Sequence, residues 1–550
     1  MLIRNGTKLR FDLLMAQSPD LDTLSAGELK ELVSQLLTEM AVLRQTVAAQ
    51  REEIARLKGL KGPPAIKPSG MEQATAAPGT KPTRDKPGRR GKVRPRVTVE
   101  DCLLRVTPPA GSRFKGFETY LVQDVSLSVR AIRYRRERWM TPDGQTIIAA
   151  LPSGIDGHFG PELRRLVLAL YHQGQSTLPR VATLLRSFGV AISERQGQRL
   201  LTEGHDEFLT ESRDVLRAGL ACASWISVDD TGARHKVANG YCTQIGNDRF
   251  TWFGTRATKS RLNILDLLRA GHGDFAVNEA ALTYMRTHGL PLAHIARLDA
   301  CNERNFADQP AWQAHLERLA ITVPPAHGVP PRKGAYVRDL ARIATEGALW
   351  GSVYAHGFLR DGVLLSDDAQ QFDFGRHALC WVHTERLIHK LDTFTEAHRG
   401  AQARLRGLVW AFYADLKAYR VNPEAQCAQD LRDRFDTIFG LNTGFTALDR
   451  LLRRLQGKKT QLLMVLERPD IPLHTNGSEN DIRCHVTRRK VSAGTRSDAG
   501  RDCRDAFLGL AKTCAKLGVS FWNYLGDRLR VPGQAVVAPL PNLILNTAAL

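Results

Sequence analysis

Trp225-Ile-Ser-Val-Asp-Asp230 and Gly362-Val-Leu-Leu-Ser-Asp-Asp368 decide how this chain is read. Each is a short apolar run that stops at a pair of acids. Runs of this length bounded by turn residues predict buried strands. In an open α/β sheet, carboxylates at strand ends sit on the lip where ligands bind. One such acid alone is ordinarily a solvated loop residue. The repetition is informative, because two such strands laid side by side bring Asp229 and Asp367 together. Asp230 and Asp368 stand next to them as supporting or substitute groups.

Around the first run, Tyr241–Ile245 and Phe250–Gly254 have strand character. Turns at Asn239-Gly240 and Gly246-Asn247-Asp248 complete the pattern of a three-stranded meander. A helix over about 261–269 follows, and 377–420, 428–456 and about 476–529 read as helical. Two divalent ions about 3.5–4 Å apart can serve phosphodiester chemistry, and they need a third acid. Hard oxygen donors suit magnesium or manganese. The candidate is Glu479, in Leu473-His-Thr-Asn-Gly-Ser-Glu-Asn-Asp-Ile-Arg483. Thr475, Asn476 or Ser478 is available to cap a helix there. Glu479 and Arg483 then lie one turn apart. Arg488, Arg489 and Lys490 follow, suited to scissile or flanking phosphates. The plainer reading of Glu479 is a first-turn acid that complements the helix dipole.

The chain has 550 residues with 43% hydrophobic and 24% charged, an ordinary globular balance long enough for several domains. Its net charge of +20 favours a polyanionic partner, nucleic acid above all. Nine cysteines, with no CxxC pair, argue against a disulfide scaffold. No run of 18 apolar residues and no continuous apolar leader predict a protein of its host's cytoplasm without a membrane partner. Residues 25–58 repeat every seven: Leu29, Leu36, Leu43, Gln50 and Leu57, with Val33, Met40, Val47 and Ile54 between. This predicts a parallel coiled coil and a homodimer. Residues 59–96 form a Pro-rich linker; with Lys58 they hold eleven Lys or Arg against Glu72 and Asp85. Its run through Arg89, Arg90, Lys92 and Arg94 suits nonspecific contact with DNA phosphates. Residues 97–157 alternate in places, as at 120–129, and predict a small β-rich module. Residues 158–220 read as helical, with a break at Gly189 that fits either a helix-turn-helix or a plain bundle.

Taken in order, these segments resemble a DDE transposase of the insertion-sequence-66 type. The resemblance is carried by Gly62–Gly70, Asp229-Asp230-Thr231, Ser366-Asp367-Asp368 with Phe372, and Cys380-Trp381-Val382-His383 with Arg386. Asn476–Glu479 with Arg483 and Arg489-Lys490, and Ala506–Leu525, complete it. It implies a multidomain α/β chain with an N-terminal coiled coil, a small β-containing module and a helical DNA-binding region. Residues 221–530 would be an RNase H-like catalytic core, with helical insertions at about 270–355 and 392–470, before a C-terminal tail at 531–550. It implies Asp229, Asp367 and Glu479 as catalytic metal ligands for two Mg2+ (or Mn2+) ions, with His383 and Arg386 in support. The implied reaction is hydrolysis at an element end, freeing a 3′-hydroxyl that then attacks target DNA. Accessory proteins of the same element are further implied partners, and the host it implies is bacterial. An inactive dimeric DNA-binding protein and a nuclease without joining activity remain the alternatives. Members carry a cysteine-rich zinc module between linker and core, but here 97–157 holds only Cys102, so no zinc is expected. His272, His288, His294 and Cys301 match no metal spacing and are expected to be solvated or structural.

Overall fold

The computed structural model describes residues 98–152, 154–155, 157–321 and 339–548. The coiled coil, the linker and its arginines 89, 90 and 94 with Lys92 lie outside the described residues. About half of the fold is helical, around one mixed sheet. Residues 98–152 depart from the expected β-rich module. Their regular structure is one short hairpin, β1 (Arg138–Met140) with β2 (Thr146–Ile148). The alternating stretch 120–129 is exposed and unpaired by any strand, so its period-2 pattern has no second surface on which to act.

Helices α1 (Pro161–Leu168), α2 (Leu178–Ser187), α3 (Glu194–Thr202) and α4 (Asp206–Cys222) follow, as the apolar periodicity requires. A π turn, Ala169–Gln173, extends α1. Ser193 and Gln196 form a capping box at the start of α3, and Gly189 takes φ +92° in the preceding turn.

The sheet has the order β5-β4-β3-β8-β9, built from β3 (Trp225–His235), β4 (Ala238–Gly246), β5 (Thr251–Arg256), β8 (Val363–Ser366) and β9 (His377–Leu379). β3, β4 and β5 form the expected antiparallel meander, while β8 and β9 run parallel to β3. Two details differ from the sequence reading. β3 does not stop at its acids but continues to His235, and Asn239-Gly240 is paired within β4. The reversal falls instead at Lys236 and Val237, with φ +48° and +68°. Both residues adopt the left-handed region that a tight hairpin demands, although neither is the usual Gly or Asn.

Alternate residues of the central strands feed opposite faces. Ile226, Val228 and Leu364 enter one apolar core, whereas Val363 and Leu365 enter another. The first face is covered by α4, by α5 (Arg261–Leu268), and by the inserted α6 (Glu279–Thr287), α7 (Leu292–Asp299), α8 (Gln309–Arg318) and α9 (Leu340–Ala355). Two-residue strands β6 (Phe275–Ala276) and β7 (Asn305–Phe306) pair inside this insertion. The second core lies among α10 (Trp381–His389), α11 (Glu396–Val421), α12 (Ala425–Phe439), α13 (Thr446–Gln456) and α14 (Lys459–Leu462). Trp381 is fully buried there against Phe412, Phe435 and Phe439.

The chain closes with α15 (Asn476–Ser492), α16 (Asp498–Lys516), α17 (Phe521–Arg528) and α18 (Leu540–Ala548). The expected tail at 531–550 is thus partly a packed helix, because Leu540 and Ile544 bury their side chains in the first core. Among the described residues, no helix is long and apolar enough to cross a membrane.

Candidate active site

Asp229 and Asp367 meet because of strand register. Trp225, Ile226 and Ser227 pair with Val363, Leu364 and Leu365. Two residues further along the same register, Asp229 stands opposite Asp367. β3–β8 pairing has ended there, since β8 stops at Ser366, which leaves a notch in the sheet beside the two acids. Neighbouring strands lie about 4.8 Å apart, which keeps the two carboxylates within strong mutual repulsion. Burial, then the charge of Asp367, push the Asp229 carboxyl up to about 7. Asp229 accepts a hydrogen bond from the Asp230 amide at 2.8 Å, and Asp367 one from the Ala369 amide at 3.1 Å.

The neighbouring acids have other attachments. Asp230 accepts a hydrogen bond from Gln371 Nε2 at 2.7 Å. Burial raises its pKa, with Lys259 and Gln371 opposing and Asp367 adding to the rise. Asp368 pairs with Arg454 at 3.3 Å and Lys458 at 3.7 Å. Sequence reading missed Gln371, Lys259, Arg454 and Lys458. No local pattern links them to the acids; only the packing of α13 and the turn after it, of the β8–β9 connection and of the β5–α5 connection does.

Glu479 occupies the first turn of α15. Thr475 is the N-cap residue, but its side chain makes no capping bond. Its hydroxyl instead lies 3.5 Å from His383 Nδ1, and its amide donates to Cys380 Sγ at 3.3 Å. Arg386 donates to Glu479 at 3.2 Å, and His383 Nε2 stands 3.5 Å from the same oxygen. Glu479 therefore does more than complement a helix dipole, since a guanidinium and an imidazole from α10 converge on it.

His383 also lowers the Asp229 pKa by its charge, so it links the two acids electrostatically. Burial alone would depress His383, but its contact with Cys380 and the charges of Cys380 and Glu479 raise it. Burial works against the Cys380 thiolate, yet His383 and Thr475 outweigh it and lower the thiol's pKa.

Hard oxygen donors at the head of a sheet, two of them in mutual repulsion, fit divalent cations, whose binding would relieve that repulsion. The three carboxylates do not converge on one point. Among the described residues, the triplets of donor groups within 4.8 Å of one another are Cys242–His485–Asp505 and His272–Asp274–His356.

The basic residues of α15 divide. Arg488 is 2% exposed and donates to the carbonyls of Tyr171 and Ser176 at 3.0 and 2.8 Å. Its guanidinium also covers the Tyr171 ring at 3.4 Å, so it joins α15 to the N-terminal helices and does not face a phosphate. Arg483 is half-buried and Lys490 exposed. Arg489 reaches across β3: a Cβ on Gly232 would meet its Nη1 at 3.2 Å. A glycine three residues past Asp229 thus lets a guanidinium lie close to the sheet.

Residues 351–502 match the family model described as Transposase IS66 family. That span holds Asp367, His383, Arg386 and Glu479, while Asp229 precedes it. The protein y4jO of Sinorhizobium fredii, itself uncharacterized, is 47% identical over 330 residues, which cover 60% of this chain and 99% of that protein. The chain belongs to the same family as that rhizobial protein, and its residues 351–502 are similar to the Transposase IS66 family.

Proposed function

We propose that this chain is a DDE transposase with an RNase H-like core, in which Asp229, Asp367 and Glu479 hold two divalent cations, Mg2+ or Mn2+. One observation carries the reading. The β3–β8 register sets Asp229 opposite Asp367, and burial first, then the charge of Asp367, raise Asp229 to about 7. Such a carboxylate pair is costly to build unless a cation uses it. When bound, a pair of divalent ions activates the attacking hydroxyl and stabilises the departing oxygen of an in-line displacement. Arg386 and His383 orient Glu479 toward the notch. Arg489 and Lys490, with Arg483, supply positive charge for the DNA backbone. Helix α3, with Arg195 and Gln198 exposed, is a second surface for DNA. The partners are element-end and target DNA, and the coiled coil over 25–58 would pair two such chains.

The test uses purified full-length protein and labelled element-end DNA, with magnesium or with chelator. Wild type should cut in a metal-dependent manner and then give joined strand-transfer products. Asp229→Ala should bind the DNA and leave it intact. Binding without cleavage by wild type in every condition would replace this reading with that of a DNA-binding protein. Cleavage without joined products would reduce it to a nuclease.

A further inference from the structure

Away from the catalytic notch, His272, Asp274 and His356 form a second constellation. His272 and Asp274 lie between α5 and β6, and His356 is the C-cap of α9. Asp274 Oδ1 accepts from His356 Nε2 at 2.8 Å, and its Oδ2 accepts from Ser352 Oγ at 3.0 Å. The two imidazoles stack with centroids 3.6 Å apart and planes 16° from parallel. One donor atom from each of the three residues lies within 4.8 Å of the other two. We propose that His272, Asp274 and His356 bind one Zn2+ ion, which fastens the two ends of the inserted segment together.

Two imidazoles and one carboxylate are a standard donor set for zinc, which binds nitrogen and oxygen at about 2.0–2.2 Å. All three residues are partly exposed, so the rings can turn out of their stack toward a shared ion, and the ion has a way in. The backbone beneath is fixed. Ala270 and Gly271 both adopt positive φ, +51° and +87°, and Ala270 pays a strain that glycine avoids. Arg217 Nε donates to the Ala270 carbonyl at 3.1 Å and Arg269 Nη1 to the Asp274 carbonyl at 2.7 Å. These nearby cations have carboxylates of their own: Asp214 for Arg217 at 3.3 Å and Asp266 for Arg269 at 2.5 Å. The Cys242–His485–Asp505 group is a poorer candidate. It is buried, and Arg504 Nη2 already stands 2.9 Å from Asp505, in the place a metal cation would take.

Positions 272 and 356 bracket the segment at about 270–355 read from the sequence as an insertion. Zinc bridging them would close that segment as a loop at its base. Such a clamp stabilises by mass action, because it binds the folded chain and not the unfolded one.

The test titrates untagged, chelator-treated full-length Asp229→Ala/Asp367→Ala protein with Zn2+ alone, so that the catalytic carboxylates do not contribute. Metal analysis should find one zinc per chain, and zinc should raise the thermal midpoint. His356→Ala and His272→Asn should each weaken binding at least ~100-fold, more than loss of an outer partner. Ser352→Ala, which removes such an outer partner, should cost ~10-fold. His294→Ala, elsewhere in the insertion, should bind as the parent does. Circular dichroism checks that each variant is folded. Stoichiometric zinc retained by both histidine variants, or no zinc bound by the parent, would overturn the proposal. Neither result depends on whether the chain cuts DNA.

Discussion

At the scale of single residues, each acidic pair has been divided by its surroundings. Asp229 and Asp367 share a notch, while Asp368 is neutralised by Arg454 and Lys458. Asp367→Asn should therefore reduce metal-dependent cleavage by at least ~100-fold, more than the loss of an outer partner of a ligand costs. Asp368→Asn should leave cleavage close to wild type. Equal loss in the two variants, measured on the same DNA, would contradict this division. The sequence showed both pairs but did not choose between their members. That choice rests on which neighbours pack against each side chain, and those neighbours come from 86 and 90 residues further along. Arg488 shows the same limit. Its place in a basic run suggests DNA contact, yet its guanidinium is spent on two carbonyls and a tyrosine ring.

At the scale of elements, α15 is held by buried groups as much as by its polar N-terminal turn. Arg488 binds it to the π turn that carries His172. His172 is buried, stacks on Phe507 of α16 at 4.6 Å, and among the described residues has no hydrogen-bond partner on either ring nitrogen. Burial first, then Arg488 and His205, hold its pKa well below 6.5. The folded state therefore binds fewer protons here than the unfolded state. The stability contributed is full above about pH 6.5 and is lost as pH falls below that value, by up to about 1.4 kcal/mol per pH unit. His172→Phe, which keeps the stacking, should flatten this part of the acid loss. Urea unfolding at pH 5 and pH 8 measures it. An unchanged pH dependence in the variant would show that His172 titrates normally in the fold. The sequence marked these helices by periodicity, but a helical pattern does not announce which of its polar residues will be enclosed.

At the scale of the whole molecule, the C-terminal helices close back on the N-terminal ones through Glu211 of α4. Its carboxylate accepts from Arg528 at 2.8 and 2.9 Å, from the Tyr524 hydroxyl at 2.9 Å and from the Leu540 amide at 3.0 Å. Glu211→Ala would leave a half-buried guanidinium and a buried phenol without their shared acceptor. Losses of this kind cost about 1–3 kcal/mol, since Arg528 keeps Asp527 as a partner. The variant should unfold at lower urea, and limited proteolysis should cut faster between α17 and α18. A wild-type urea midpoint together with a wild-type digestion pattern would refute the hub. The region read as a tail is thus an anchored part of the fold, joined across more than 300 residues of chain.

The sequence by itself determined the two strands that carry the acids, the meander, most of the helices and the order of segments that carries the family resemblance. These are local properties: periodicity, turn residues and short motifs set them within a few residues. The tertiary structure alone decided that Asp229 faces Asp367, that Glu479 is grasped by Arg386 and His383, that Arg488 is buried, and that His272 meets His356. Each of these is a contact between distant segments. Side-chain partners are fixed by register and packing across the sheet, and neither is written in the residues next to them.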